Sequence, residues 1–243
     1  MGFFDHLEEF RRRLVVCLVT VFLLFFAAWA WAPELFKIIA RPIRQVLPRG
    51  QNLSYTTLTE PFLMYFRVSM LAAVIFAAPV ILWQLWQFVA PALYRREKKY
   101  VLPFVGVGFL FFIAGCCFGY FEAFPVVVNF LIGVGGPSKA NPEGFTAVIT
   151  INEYLSTASK VILGLGLVFE TPILIFFLAR IGIVSEKWLL AKFKYAVLVI
   201  FIIAAIITPT PDVVTQLVFA LPMIALYLLG IAIAWAFKKR ETS

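Results

Sequence analysis

Charge is what this sequence has least of. Only 14% of its 243 residues are charged, 13 of them acidic, while 63% are hydrophobic and 27 are phenylalanine. A soluble chain carries roughly a quarter charged residues, so a water-soluble domain is excluded. Histidine is scarcer still: His6 is the single one, and it precedes the first apolar run. Cys17, Cys116 and Cys117 lie inside apolar runs without ligand spacing, which argues against a disulfide framework or a metal cluster. There is no His-Glu-x-x-His, no glycine-rich loop ending in lysine and no Ser/His pair inside an apolar run. The expectation is a non-enzyme with no cofactor and no metal. The net charge of +8 is not a nucleic-acid signal either, because the cations segregate by loop.

What is present is long apolar sequence. Six runs qualify as membrane spans: 14–32, 68–94, 100–121, 161–179, 195–211 and 213–237. With their flanks they place spans at about 14–32, 62–94, 100–125, 153–180, 190–207 and 213–237 of one membrane domain, 1–243, behind a lead-in helix at 1–13. Ala30-Trp31-Ala32 mimics a signal cleavage site. The apolar core before it is longer than a signal's and closes on Trp29 and Trp31, so it reads as an uncleaved span. Residues 195–207 make only about 20 Å of helix against a bilayer core of about 30 Å. Lys192 and Lys194 must therefore snorkel, with the helix starting near Trp188, or the membrane must thin. Pro79, Pro91, Pro125, Pro172 and Pro222 should each bend a span and free a carbonyl.

Lysine and arginine orient the chain. Fourteen lie before span one, in the loops 95–99 and 181–189 with their flanks, and in the tail 238–243; five lie in the loops 33–61 and 126–152. The bias puts both termini in the cytoplasm. Arg67 and Lys160 belong to neither set and sit near span ends. In the first outer loop "ELFKIIARPI" reads as a short surface helix, and Thr59-Glu60-Pro61 as a helix start. Thr150-x-x-Glu153 reads as a capping box. The last outer loop, 208–212, is only "TPTPD", so the spans around it form a tight hairpin.

Three acids stand out. In "FFDHLEEFRRRL" the residues Phe3, Leu7, Phe10 and Leu14 share a helix face, and Glu8 and Glu9 precede Arg12 and Arg13 by four. Two i,i+4 ion pairs on an amphipathic helix would explain them. Glu97 is the one acid in "RREKK", where it could simply offset its neighbours. Glu170 lies mid-run in "VILGLGLVFETPILIFFLA", where a carboxylate is costly. Lys160, ten residues earlier in the span, is about 15 Å away along the helix. Glu170 can be an incidental carboxyl bonded in the bundle, a proton-relay site, or a polar notch for a partner. Gly164 and Gly166 read as close helix contacts rather than a nucleotide loop.

The run "FVAPALYRREKKYV" resembles the signature of the TatC family, the multispanning core of the twin-arginine protein translocase. The family pattern Phe-x-x-Pro-x-Leu-x-x-x-Glu is met by Phe88, Pro91, Leu93 and Glu97. "HLEEFRRRL" resembles the family's lead-in, with Phe10 for the usual Leu, and "SMLAAVIFAAPVILWQLWQF", "FGYFEAFPVV", "FETP" and "TPTPDVVTQ" follow in family order. The resemblance covers about residues 6–237. Thr210 stands between prolines that the family more often has adjacent.

The resemblance implies an all-α, six-span, cupped bundle with short fifth and sixth spans, in the cytoplasmic (inner) membrane. It implies a receptor for twin-arginine signal peptides of folded precursors that nucleates assembly of the export complex. Glu9 and Glu97 would read the arginines, with Glu8, Phe88, Pro91 and Leu93 beside them. Arginine's planar fork suits carboxylates in a way lysine cannot match. Glu170, Thr208 and Gln216 would meet single-span TatA- and TatB-type partners in a homo- and hetero-oligomer. Pro42, Pro79 and Asp212 would be structural or functional positions. The competing reading is a proton-coupled small-solute transporter; the lack of an internal repeat and the single mid-span acid stand against it.

Overall fold

Hydrocarbon offers the backbone no water to bond, so apolar runs must fold as helices. The computed structural model describes residues 3–46, 53–89, 101–134, 148–210 and 212–236, and it bears this out. The elements in order are α1 (Phe3–Trp29), α2 (Ala32–Ile39), α3 (Arg41–Val46), α4 (Glu60–Val89), α5 (Val101–Phe118), a π-helical turn (Gly119–Ala123), α6 (Phe124–Val134), α7 (Ile151–Val168), α8 (Thr171–Arg180), α9 (Glu186–Ala191), α10 (Phe193–Ile207) and α11 (Val213–Ala236). Among the described residues there is no strand, only an isolated bridge that ties Ser54 to Thr150.

Among the described residues five stretches are long and apolar enough to cross a membrane: Leu7–Trp29, Glu60–Phe88, Val105–Val134, Ile151–Arg180 and Val213–Ala236. Three expectations about their extents change. The lead-in and the first span are one unbroken helix, α1. The outer loop expected from residue 126 is helical as far as Val134. Of the two spans expected to be short, α11 has 24 residues, about 36 Å, and only α10 is short, with 15 residues or about 22 Å. The stretch 190–207 is also divided rather than continuous. Lys192 closes α9 and opens α10, and Tyr227 of α11 donates to the Leu189 carbonyl at 3.0 Å, holding α9 aside.

Two of the prolines coincide with interruptions, and each interruption follows from a missing N–H. Pro125 cannot bond the carbonyl four residues back, and the helix ahead of it widens: Phe124 N–H reaches Gly119, five residues away. Pro172 leaves the Val168 carbonyl free, and the Thr171 hydroxyl donates to it at 2.6 Å. Pro79 and Pro222 sit inside continuous helices, and Pro91 lies outside the described residues. Beside the widened turn two tyrosines cap α2: Tyr120 donates to the Ile38 carbonyl at 2.6 Å and Tyr154 to Ile39 at 2.7 Å. These are last-turn carbonyls that would otherwise lack a partner.

Helices in lipid gain little from burying apolar surface, so they associate by close packing over small residues. Ala73, Ala77, Ala158, Ala204 and Ala220 are fully buried. The main core joins Phe124, Leu155, Val161, Leu165 and Phe219, and a smaller cluster of Leu82, Trp86, Val105, Ile173 and Phe177 lies toward the N-terminal end of α1. Gly164 and Gly166 do face neighbouring helices, Ile207 of α10 and Cys116 with Phe112 of α5. The tightest approach is at Gly115 of α5. A Cβ there would stand 2.5 Å from the Leu165 carbonyl oxygen and 2.8 Å from Phe169. Gly115→Ala should therefore lower stability by about 1–3 kcal/mol, the usual cost of overpacking. Gly106→Ala, where nothing lies within 4 Å, should not. Thermal unfolding of both variants in detergent checks this.

Candidate functional site

The first site is built where α1 crosses the last turns of α4. Glu9 and Arg13 stand one turn apart on α1 and both turn toward α4. The Arg13 guanidinium donates to Glu9 Oε1 from Nη2 at 2.5 Å and from Nε at 3.1 Å. Its third nitrogen, Nη1, donates to Gln87 Oε1 at 2.7 Å and to Gln84 Oε1 at 3.2 Å. Gln84 and Gln87 are three apart in an apolar helix and so share a face. Phe10 meets Phe88 edge to face, centroids 5.6 Å apart. Side chains of Arg13 and Glu9 keep only 20% and 25% of their exposure. This is a guanidinium-binding edge, made of one carboxylate and two amide oxygens, and an internal arginine fills it.

Of the residues expected at this site, the structure brings Glu9 and Phe88 together. Glu8 is exposed, and among the described residues no ion pair joins it to Arg12, so one of the two expected pairs is missing. The reason is helical geometry: Glu9 and Arg13 face α4, and Glu8 and Arg12 face away. Pro91, Leu93 and Glu97 lie outside the described residues. Arg13 as a bridge, with Gln84 and Gln87, was not foreseen; the signal was two amides three apart in an otherwise uncharged run.

The second site is the break between α7 and α8. Glu170 sits on the turn, and its carboxylate lies against α5, where a Cβ on Gly108 would be 3.2 Å from Oε2. Ile173 of α8 faces the same point. Among the described residues Oε1 is buried without a hydrogen-bond partner. Glycine at 108 thus leaves room for a carboxylate that the bundle does not satisfy.

The third feature is the α10–α11 hairpin. Thr208 is buried and donates to the Ala204 carbonyl at 3.0 Å. Gln216 reaches across to the Phe201 carbonyl at 3.1 Å. Both are tied within the hairpin. Asp212 caps α11: its Oδ1 accepts from Thr215 N–H at 2.7 Å and its Oδ2 from the Thr215 hydroxyl. Thr210, the departure from the family pattern, is buried and joins the same network, 2.8 Å from the Thr215 hydroxyl. Desolvation pushes the Asp212 carboxyl up, but hydrogen bonds from Thr210, from both donors of Thr215 and from Val214 outweigh it and hold it below the ordinary aspartate value. Pro42 is buried at the start of α3.

The class these elements define is a multi-pass helical membrane protein. The family model for Sec-independent protein translocase protein (TatC) matches residues 5–222. The TatC protein of Koribacter versatilis is 44% identical over 238 residues, 97% of this chain and 85% of that one. That of Desulforapulum autotrophicum is 41% identical, over 99% of this chain and 87% of that one. A crystal structure of the twin arginine translocase receptor TatC superposes with a TM-score of 0.80 at 32% identity, over 95% of this chain and 98% of that one. A second, in DDM, gives 0.81. The chain belongs to the TatC family and is a component of twin-arginine protein transport.

The Asp212 cap carries a pH dependence. A carboxyl held low in the folded state contributes fully above the unfolded value of about 3.9 and is lost as pH falls through its lowered folded value. Amide exchange at Thr215 and Gln216 should accelerate below about pH 4. Asp212→Ala should accelerate it above about pH 4, where the charged cap is in place, and Asp212→Asn, which still caps, should remove most of the pH dependence.

Proposed function

We propose that this chain receives the twin-arginine signal peptide of folded precursor proteins at its cytoplasmic face and nucleates assembly of the export complex. The observation that carries this reading is the Glu9 carboxylate holding a guanidinium between α1 and α4, with two glutamine oxygens and two aromatic rings around it. An arginine of the signal can take the place of Arg13 in the same fork. Glu97, with Pro91 and Leu93, joins the site by its place in the family signature. Glu8, on the exposed flank of α1, attracts the approaching cationic signal. The predominance of Lys and Arg in the loops assigned to this end supports a cytoplasmic position for it and for both termini, with the chain in the inner membrane. The work is recognition, with no bond made or broken.

Glu170, with Thr208 and Gln216, has a separate role. Its carboxyl at the α7–α8 break keeps a buried oxygen without a partner among the described residues, and a polar group on a single-span TatA- or TatB-type helix can supply the missing hydrogen bond. Gln216 holds α11 against α10 through the Phe201 carbonyl, and Thr208 closes the last turn of α10 through the Ala204 carbonyl, so that the neighbouring edge keeps its shape. Pro79 and Pro42 fix backbone that carries these elements.

Signal binding and assembly should therefore separate. In cross-linking to membranes, Glu9→Ala and Glu97→Ala should each weaken capture of a twin-arginine peptide about 30-fold or more, since removing one partner of a desolvated charge pair costs 2 kcal/mol or more. A twin-lysine peptide should bind as poorly to the unaltered chain. Glu170→Ala should leave peptide capture intact and reduce recovery of single-span partners. Equal capture of the two peptides would sink the receptor reading. Arg13→Gln should tighten peptide binding a few-fold, because the resting ion pair no longer competes; weaker binding would mean that Arg13 positions Glu9 instead.

A further inference from the structure

Arg67 and Lys160 are the two cations that the loop pattern leaves over. Arg67 lies seven residues past the start of α4 and Lys160 nine past the start of α7, about 10 and 14 Å into helices that enter from the same end. Both side chains line one cleft of about 290 Å³ between α4 and α7. Ser156 and Ser159 line it too, and Met70 and Leu163 are part of its apolar wall. No acid lines it. Arg67 donates one N–H to the Asn152 carbonyl, at 3.2 Å, in the first turn of α7. Its guanidinium therefore rises toward the bundle's end, where headgroups lie. Among the described residues Lys160 has no ion-pair partner.

Two cations carried this far into membrane helices without a counter-charge are costly, and such groups are usually found with an anion, a carbonyl or water. The surrounding membrane offers one abundant anion, the phosphodiester, which accepts charge-assisted bonds from guanidinium and ammonium and ordinary ones from hydroxyls. The cleft combines those donors with an apolar wall running deeper, which is the layout of a phosphate with an acyl chain below it. Two positive charges favour a lipid with net negative charge over a zwitterionic one. We propose that the cleft between α4 and α7 holds one anionic phospholipid, its phosphate on Arg67, Lys160, Ser156 and Ser159 and a chain along Met70 and Leu163. The proposal is independent of the signal-peptide reading.

The test uses the full chain in zwitterionic nanodiscs doped with phosphatidylglycerol, followed by native mass spectrometry. One phosphatidylglycerol per chain should survive delipidation. Arg67→Gln combined with Lys160→Met should reduce its retention about tenfold or more. Lys37→Gln combined with Arg44→Gln, on surface helices at the same end, should not. Millimolar inorganic phosphate should fail to displace the lipid, which separates a lipid site from a free-anion site. A photoactivatable phosphatidylglycerol should label the segments containing Met70 and Leu163 in the unaltered chain, a readout that does not depend on any variant folding. Equal retention by the Arg67/Lys160 variant, displacement by phosphate, or labelling elsewhere would overturn the proposal. So would capture of a partner protein's acidic helix, in place of lipid, by a cross-linker at Ser159.

Discussion

Inside a bilayer a carbonyl without a donor has nowhere else to turn, and that constraint shapes this molecule at each place where it departs from a plain helix. Pro172 frees the Val168 carbonyl, and the adjacent Thr171 hydroxyl takes it up. Pro125 forces the turn ahead of it to widen to five-residue spacing. The end of α2 is met by the phenol groups of Tyr120 and Tyr154, and the end of α10 by Thr208. Each repair leaves a turn in a fixed place. The break after α7 swings Glu170 out of regular helix and against Gly108.

The same bookkeeping separates two kinds of polar group. Some are consumed by the fold: Thr171, Thr208, Thr210, Thr215 and Asp212 spend their bonds on neighbouring backbone or on each other. Others are left with capacity. Glu170 keeps a buried oxygen without a partner among the described residues, and Glu9 is matched by a guanidinium on the same helix, one turn away. A pair between neighbours on one helix can be exchanged for an incoming guanidinium, so it satisfies the carboxylate without locking it.

The helical, multi-pass character was legible because 27 phenylalanines and six long apolar runs, five of them uncharged, permit little else. What sequence could not decide was which of two equivalent patterns would be used. Glu8–Arg12 and Glu9–Arg13 have identical spacing, and only the packing of α1 on α4 selects the second. The same packing gives Gln84 and Gln87 a purpose that no local rule announces. Thr210 looked like an irregularity in a proline turn and is instead the buried end of a hydroxyl chain to Asp212. The short sixth span came from resemblance alone, and the apolar count of 213–237 already spoke against it. The division at Lys192 depends on Tyr227, 35 residues further on, and is invisible in any local window.

The hairpin of α10 and α11 is pinned at its tip by the Asp212 network and along its length by Gln216. A pinned hairpin cannot tilt or unwind to lengthen its short arm. With 15 residues against a core of about 30 Å, α10 falls short by about 8 Å. The bilayer beside it must deform, at a cost that rises with each ångström of mismatch. Along that edge, lipid of ordinary thickness is the poorer neighbour, and a helix as short as α10 is the better one. Length, and not only polarity, thus becomes a criterion by which this face selects what stands next to it.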